Sequence, residues 1–215
     1  MSVEVLGYTQ SSGNTRIKRL PDGAIFNVKI SMFDSASQDK IIAAAPKARA
    51  KLDAKLSVGR RRERVEDSSY MKRQTITGKV AIENDSRDID FINGKATVLL
   101  VARQTKRYAD DDADYGKILH KEKFDTSLKA GQSFNYECKP VVTEYDSDRD
   151  SSNIGGWEYY GWMLIIQEAD GTVHSVETSI GNLKKEVDEN PELGEVYLGL
   201  EVGKLVEKNL ANRTQ

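Results

Sequence analysis

With 215 residues, 38% of them hydrophobic and 31% charged, the chain is polar but globular and long enough to bury one enlarged core. A net charge of −2 gives its overall field no case for nucleic acid, and no apolar run approaches the roughly 18 residues of a membrane span. One cysteine, Cys138, excludes an internal disulfide framework and a cysteine-built metal site without choosing a compartment.

Met1-Ser2-Val3 leads directly into an alternating segment, so no signal peptide is read; a cytoplasmic chain and a secreted one whose leader was replaced both fit. Val3, Val5 and Gly7 alternate with polar residues until Ser11-Ser12-Gly13-Asn14 breaks the run. A short strand over 16–20 then meets the turn Pro21-Asp22-Gly23. Phe26, Val28, Ile30 and Met32 share a face after it, which completes a hairpin signal. Over 35–57 the period changes. Ile41, Ala45, Ala48, Leu52 and Leu56 fall at helical spacing, capped by Ser35 or Ser37 and kinked or divided at Pro46. Arg60-Arg61-Arg62-Glu63-Arg64 reads as a charged connector after Gly59.

Long strands come next over 71–83 and 95–106, with a shorter one over 117–124. Phe134, Tyr136 and Cys138 alternate until Pro140 requires a bulge or an edge position. Residues 157–168 are apolar on both faces, as a central sandwich strand is, and Ala169-Asp170-Gly171 turns into a final strand over 172–178. In the tail, Asn190 before Pro191 and Glu192 signals a helix start, with stripes Leu193/Val196/Tyr197/Leu200 and Leu198/Val202/Leu205/Val206. The expected organisation is a hairpin and helical segment over 1–68, a β-sandwich core over 69–180 and a helical segment over 181–215, forming one compact unit.

The turn Asn84-Asp85-Ser86 before the alternating run 96–101, and Leu128-Lys129-Ala130-Gly131-Gln132-Ser133 before Phe134, resemble the turns of bacterial immunoglobulin-like sandwich modules. The resemblance covers about half the chain and departs from antibody domains in lacking the Cys–Trp–Cys pattern. With an N-terminal helix and a C-terminal helix added, the arrangement is similar to envelope proteins of gut Verrucomicrobia associated with pilus gene clusters. That likeness implies a secreted or periplasmic, outer-membrane-associated, non-enzymatic protein working in surface assembly or adhesion.

Candidate sites are few. Asp110, Asp112 and Asp114 alternate in one loop, and Asp146, Asp148 and Asp150 in another; the strand connectivity brings both loops to one end. Alternating carboxylates can converge on Ca²⁺, which takes oxygen ligands. Neither loop is an EF-hand, because the twelfth position holds Lys121 in one and Trp157 in the other. Solvated loops guarding sheet edges, a calcium site and an acidic pole that docks a basic partner all fit. The arginine cluster reads as a solvated helix end, diluted by Glu63, Glu66 and Asp67 and without interleaved aromatics. His120 and His174 lie in strands with no nucleophile motif beside them, and Cys138 reads as a small core residue. Among Trp157, Tyr159, Tyr160 and Trp162, Trp157 is the exposed candidate because it follows Gly155-Gly156 and the acidic loop. The expected function is protein–protein contact, with a protein partner or a second copy. A carbohydrate-binding module is the alternative, and a hydrolase comes last.

Overall fold

The computed structural model describes residues 2–9, 13–45, 49–105, 116–148, 152–190 and 193–207. Strands β1 (Val3–Thr9), β2 (Asn14–Arg19) and β3 (Ile25–Lys29) form an antiparallel three-stranded sheet. Its second turn is the expected Pro21-Asp22-Gly23, with Gly23 at φ +69 and Arg19 paired with Asp22. Helix α1 (Ser35–Ala44) packs on β1 and is capped by Asp34, whose carboxylate accepts the Ser37 amide at 2.9 Å. Neither expected serine is the cap, although Ser37 is the partner of the residue that is.

The helix stops two residues before Pro46, because the residue preceding a proline is driven out of the helical region; Ala45 sits at ψ 130. In place of the expected helical continuation beyond Pro46, residues Leu52–Arg64 form a strand, β4. Ala54 and Leu56 are buried, Leu52 and Val58 half-buried, and Asp53, Lys55 and Ser57 point outward. The four-residue spacing of Ala48, Leu52 and Leu56 fits both a helix and every second alternation of a strand. The intervening Ala54 and Val58 decide it.

The remaining strands are β5 (Met71–Asn84), β6 (Phe91–Gln104), β7 (Gly116–Leu128), β8 (Ser133–Glu137), β9 (Val141–Asp146), β10 (Trp157–Gln167), β11 (Val173–Thr178) and β12 (Leu205–Val206). They make a β-sandwich. One sheet runs β4-β5-β8, with β9 continuing along the same edge of β5; the other runs β11-β10-β6-β7-β12. Pro140 lies between β8 and β9, where the edge strand is interrupted, as its missing amide requires. Because β4 pairs with β5 along its whole length, residues 52–64 join the sandwich across the expected boundary at 68.

Leu56, Ile76, Val80, Ile82, Val98, Leu100, Leu164 and Ile166 fill the space between the sheets. A second core lies on the outer face of the five-stranded sheet. There Leu99, Val101, Ile118, Met163 and Ile165 meet Leu183 and Val187 of α2 (Gly181–Glu189), and Tyr197 of α3 (Leu193–Leu198). Each such side chain stabilises the fold by about 1.5–3 kcal/mol on burial, and two cores explain why β6 and β10 are apolar on both faces. The tail is helical, but not as one continuous helix. Asn190 ends α2 rather than capping a long successor, α3 stops at Leu198, and Leu205–Val206 adds to the edge of β7. Gly199 and Gly203, the latter at φ +88, bracket the segment where the second apolar stripe stops being helical.

Candidate functional site

The sandwich has two unlike poles. At one, short turns join β5 to β6 and β7 to β8, and Asn84 ties them together from a fully buried position. Its Nδ2 donates to the carbonyls of Ile89 (2.8 Å) and Leu128 (3.3 Å), and its Oδ1 accepts the Ser86 amide. Gly131, at φ +74, donates its amide to the Asn84 carbonyl. We call this the closed pole.

The other pole carries the longer connections. Asp110, Asp112, Asp114 and Asp150 lie outside the described residues. The strand ends from which their loops leave are adjacent: Trp157 is opposite Gln104, Arg103 is opposite Gly116, and the Thr105 amide donates to the Gly156 carbonyl at 3.1 Å. Asp148 is exposed, but Asp146 is not. Only 2% of Asp146 is exposed, and its two carboxylate oxygens accept the amides of Asp148 and Ile154, each at 2.9 Å. The buried Asn153 accepts the Gly155 amide and donates to the Asp148 carbonyl. Gly156, at φ +120, is the residue this turn requires, since a Cβ there would lie 2.5 Å from the Tyr145 Cα. Asp146 is thus the knot of its loop, a correction to the expected exposed pole. Among the described residues, no three His, Cys, Asp or Glu side chains are placed to hold a metal ion.

The arginines of β4 are also differently placed than expected. One aromatic packs on them from β10 of the facing sheet, and two more of β10 stand against cations of their own sheet. The Arg60 guanidinium lies 5.5 Å from the Tyr159 ring centroid, Arg103 lies 5.7 Å from Tyr160, and the Lys117 ammonium 5.4 Å from Trp157. Arg62 donates to one oxygen of Glu158 at 2.8 Å, and Arg103 approaches the other at 3.5 Å. Trp157 is only half-buried, and Tyr160, 47% exposed, is the most open of the β10 aromatics. Backbone bonds hold the strand in place, through Thr143 Oγ1 to the Trp157 carbonyl (2.7 Å) and the Tyr159 amide to Gln74 Oε1 (3.1 Å). Burial pushes the Tyr159 phenol up to about 12, against the opposing effects of Ser179 and Arg60. The β4 half of this cluster is hidden from sequence reasoning because Arg60 and Arg62 are almost a hundred positions from Tyr159 and Glu158 and meet them only when the sheets pack.

Both histidines have carboxylate partners. His174 Nδ1 lies 2.7 Å from Glu168, and the Phe91 ring packs edge-on against its imidazole. His120 Nε2 lies 2.9 Å from Glu122, which also accepts the Tyr136 hydroxyl and the Lys139 amide. Burial opposes ionisation of Glu122, but these donors outweigh it and hold its carboxyl below the usual range. Cys138 lies buried nearby, its thiol raised to about 11 by burial and then by Glu122, which opposes formation of a nucleophilic thiolate.

No protein-family model matches the chain, and no curated protein matches it significantly. Solved structures similar to it include a β-glucuronidase from Bacteroides uniformis, 16% identical over 56% of this chain and 12% of that one, at a TM-score of 0.29. A protein from Akkermansia muciniphila is 11% identical over 61% of this chain and 71% of that one, with a TM-score of 0.25. A β-glucosidase from Kluyveromyces marxianus is also 11% identical, over 73% of this chain and 14% of that one, again with a TM-score of 0.25. The chain therefore spans only a small part of the glycosidases it matches, and likenesses this distant assign it no activity.

Proposed function

We propose that this chain is a non-enzymatic β-sandwich protein that works through protein–protein contact at its open pole, in an assembly or adhesion system of the bacterial envelope. The observation that carries the contact reading is the packing of Arg60, Arg103 and Lys117 against Tyr159, Tyr160 and Trp157 at the ends of both sheets. Arginine, tyrosine and tryptophan are the residue types that dominate binding energy at protein interfaces. Here they stand on β-strands, and a rigid scaffold lowers the ordering cost of association. The envelope setting rests on the resemblance of the whole arrangement, with its added N-terminal and C-terminal helices, described above.

Photo-crosslinking tests the contact. With Tyr160 replaced by benzoylphenylalanine, cells that make the protein should yield a discrete protein adduct. The same replacement at exposed Lys185, on α2, should not. Equal labelling at both positions would remove the open pole from consideration. Fractionation tests the compartment, and recovery from the cytosol alone would overturn the envelope setting.

A further inference from the structure

We propose that the free edge of β4 pairs with the β4 edge of a second copy of this chain, antiparallel about a two-fold axis at Ser57. This goes beyond the contact reading above and does not rest on it, since Tyr160 stands on the other sheet. β4 is the outermost strand of its sheet, and all 13 of its residues pair with β5 without a register shift. At one end the Lys51 carbonyl accepts the Asp85 amide, and at the other the Val65 amide donates to the Met71 carbonyl. Antiparallel bonding alternates along a strand. The odd-numbered residues between these two bonds therefore bond to β5, and the even-numbered ones, Leu52 to Arg64, turn their amides and carbonyls outward. Among the described residues, nothing bonds to that outward row. The other edges of the sandwich are short or divided: β11 has six residues, β12 has two, and Pro140 separates β8 from β9. A 13-residue edge with no proline and no bulge is a template for a further strand.

The charges on this strand choose both the partner and the register. With Ser57 on the axis, Asp53 stands opposite Arg61 of the second copy and Lys51 opposite Glu63, and each pair occurs twice. Lys55 then meets Gly59, which offers no side chain. Moving the axis to Val58 sets Asp53 against Glu63 and Lys55 against Arg61, and moving it to Leu56 sets Lys51 against Arg61. Like charges directly opposite are destabilising. An axis at Gly59 keeps one complementary pair, Lys55 with Glu63, in place of two. The odd-numbered pairs are also the ones not joined by hydrogen bonds, in which side chains approach most closely. Within a single chain these charges are only partly met. Asp53 has Lys55 beside it but lies opposite Glu83 on β5, whereas Arg61, beside Glu63, lies opposite uncharged Thr75. On the inward row Leu56 meets Val58 of the second copy, which continues the apolar layer between the sheets. An unrelated peptide would have to reproduce this alternation, and the same chain already carries it.

The test uses the full chain and sedimentation equilibrium, where the wild type should dimerise reversibly as its concentration rises. Asp53→Arg and Arg61→Asp should each weaken the dimer about tenfold, because each sets like charges opposite one another twice. Mixed in equal amounts, the two variants should form a heterodimer about as tight as the wild-type dimer, since every pair at these positions is again opposite in charge. Oxidation of Ser57→Cys should yield a disulfide-linked dimer. Lys79→Cys, exposed and paired with Ser57 one strand further in, should not. Melting curves should confirm that each variant is folded. A wild type that stays monomeric at every concentration overturns the proposal. So does a dimer that both single reversals leave intact, or that their mixture fails to restore. Equal disulfide yields at the two cysteine positions overturn the β4 edge as the contact. Should a reversal unfold the chain, the comparison of the two cysteine variants decides alone. None of these outcomes bears on the Tyr160 crosslink, which tests the open pole separately.

Discussion

The closed and open poles are built from the same strands but solve different problems. At the closed pole, a single buried amide satisfies carbonyls from two turns. At the open pole only the base is comparably fixed, by Asp146 and Asn153; above it the charged groups pair with one another at half exposure. Buried polar groups are costly to leave without partners, whereas exposed ion pairs contribute little to stability. One pole is therefore specialised for holding the fold, and the other keeps surface that stability does not need.

Substitutions can break or sharpen this contrast. Asn84→Ala should cost about 3 kcal/mol in urea unfolding, since it strands the half-buried Ile89 carbonyl and the buried Leu128 carbonyl. A loss under about 1 kcal/mol would mean that the closed pole is not held by this amide. Glu122→Gln, between the poles, should cost about 2 kcal/mol through weakened bonds from His120, Tyr136 and Lys139. Because the folded Glu122 carboxyl is depressed, its stabilisation is present above the unfolded value of about 4.3 and is lost as pH falls through the folded one. The variant should lack that part of the acid-induced loss, and an unchanged pH profile would rule it out. Asp146→Asn should cost about 1 kcal/mol, as one amide loses its acceptor. Arg103→Ala should stay within about 0.5 kcal/mol of wild type; a larger loss would make the open pole structural and erase the contrast.

The closed pole is far more legible in sequence than the open one. The turns at Asn84-Asp85-Ser86 and Leu128–Ser133 announce themselves locally, through an amide side chain and a glycine with positive φ. Likewise the two-faced apolarity of β10 states its central position. The open pole depends on contacts between sheets, and periodicity contains no register between distant strands. Thus Arg60 and Arg62 read as solvated, although Tyr159 and Glu158 lie against them. Asp146 and Asp148 alternate along the chain and should share one environment, but the strand ends at Asp146 and turns its carboxylate inward. The helical reading overruns α1 for a related reason, because spacings of four do not distinguish a helix from a strand.

The course of β4 has a mechanical consequence. Its first residue, Leu52, pairs with Asn84 at the closed pole, while Val206 pairs with Gly116 at the open pole. Tension applied between Leu52 and Val206 would run along the strand axes. The two-residue β12 would peel first, after which the 13-residue strand β4 would be loaded in shear against β5, its hydrogen bonds strained together instead of being unzipped one at a time.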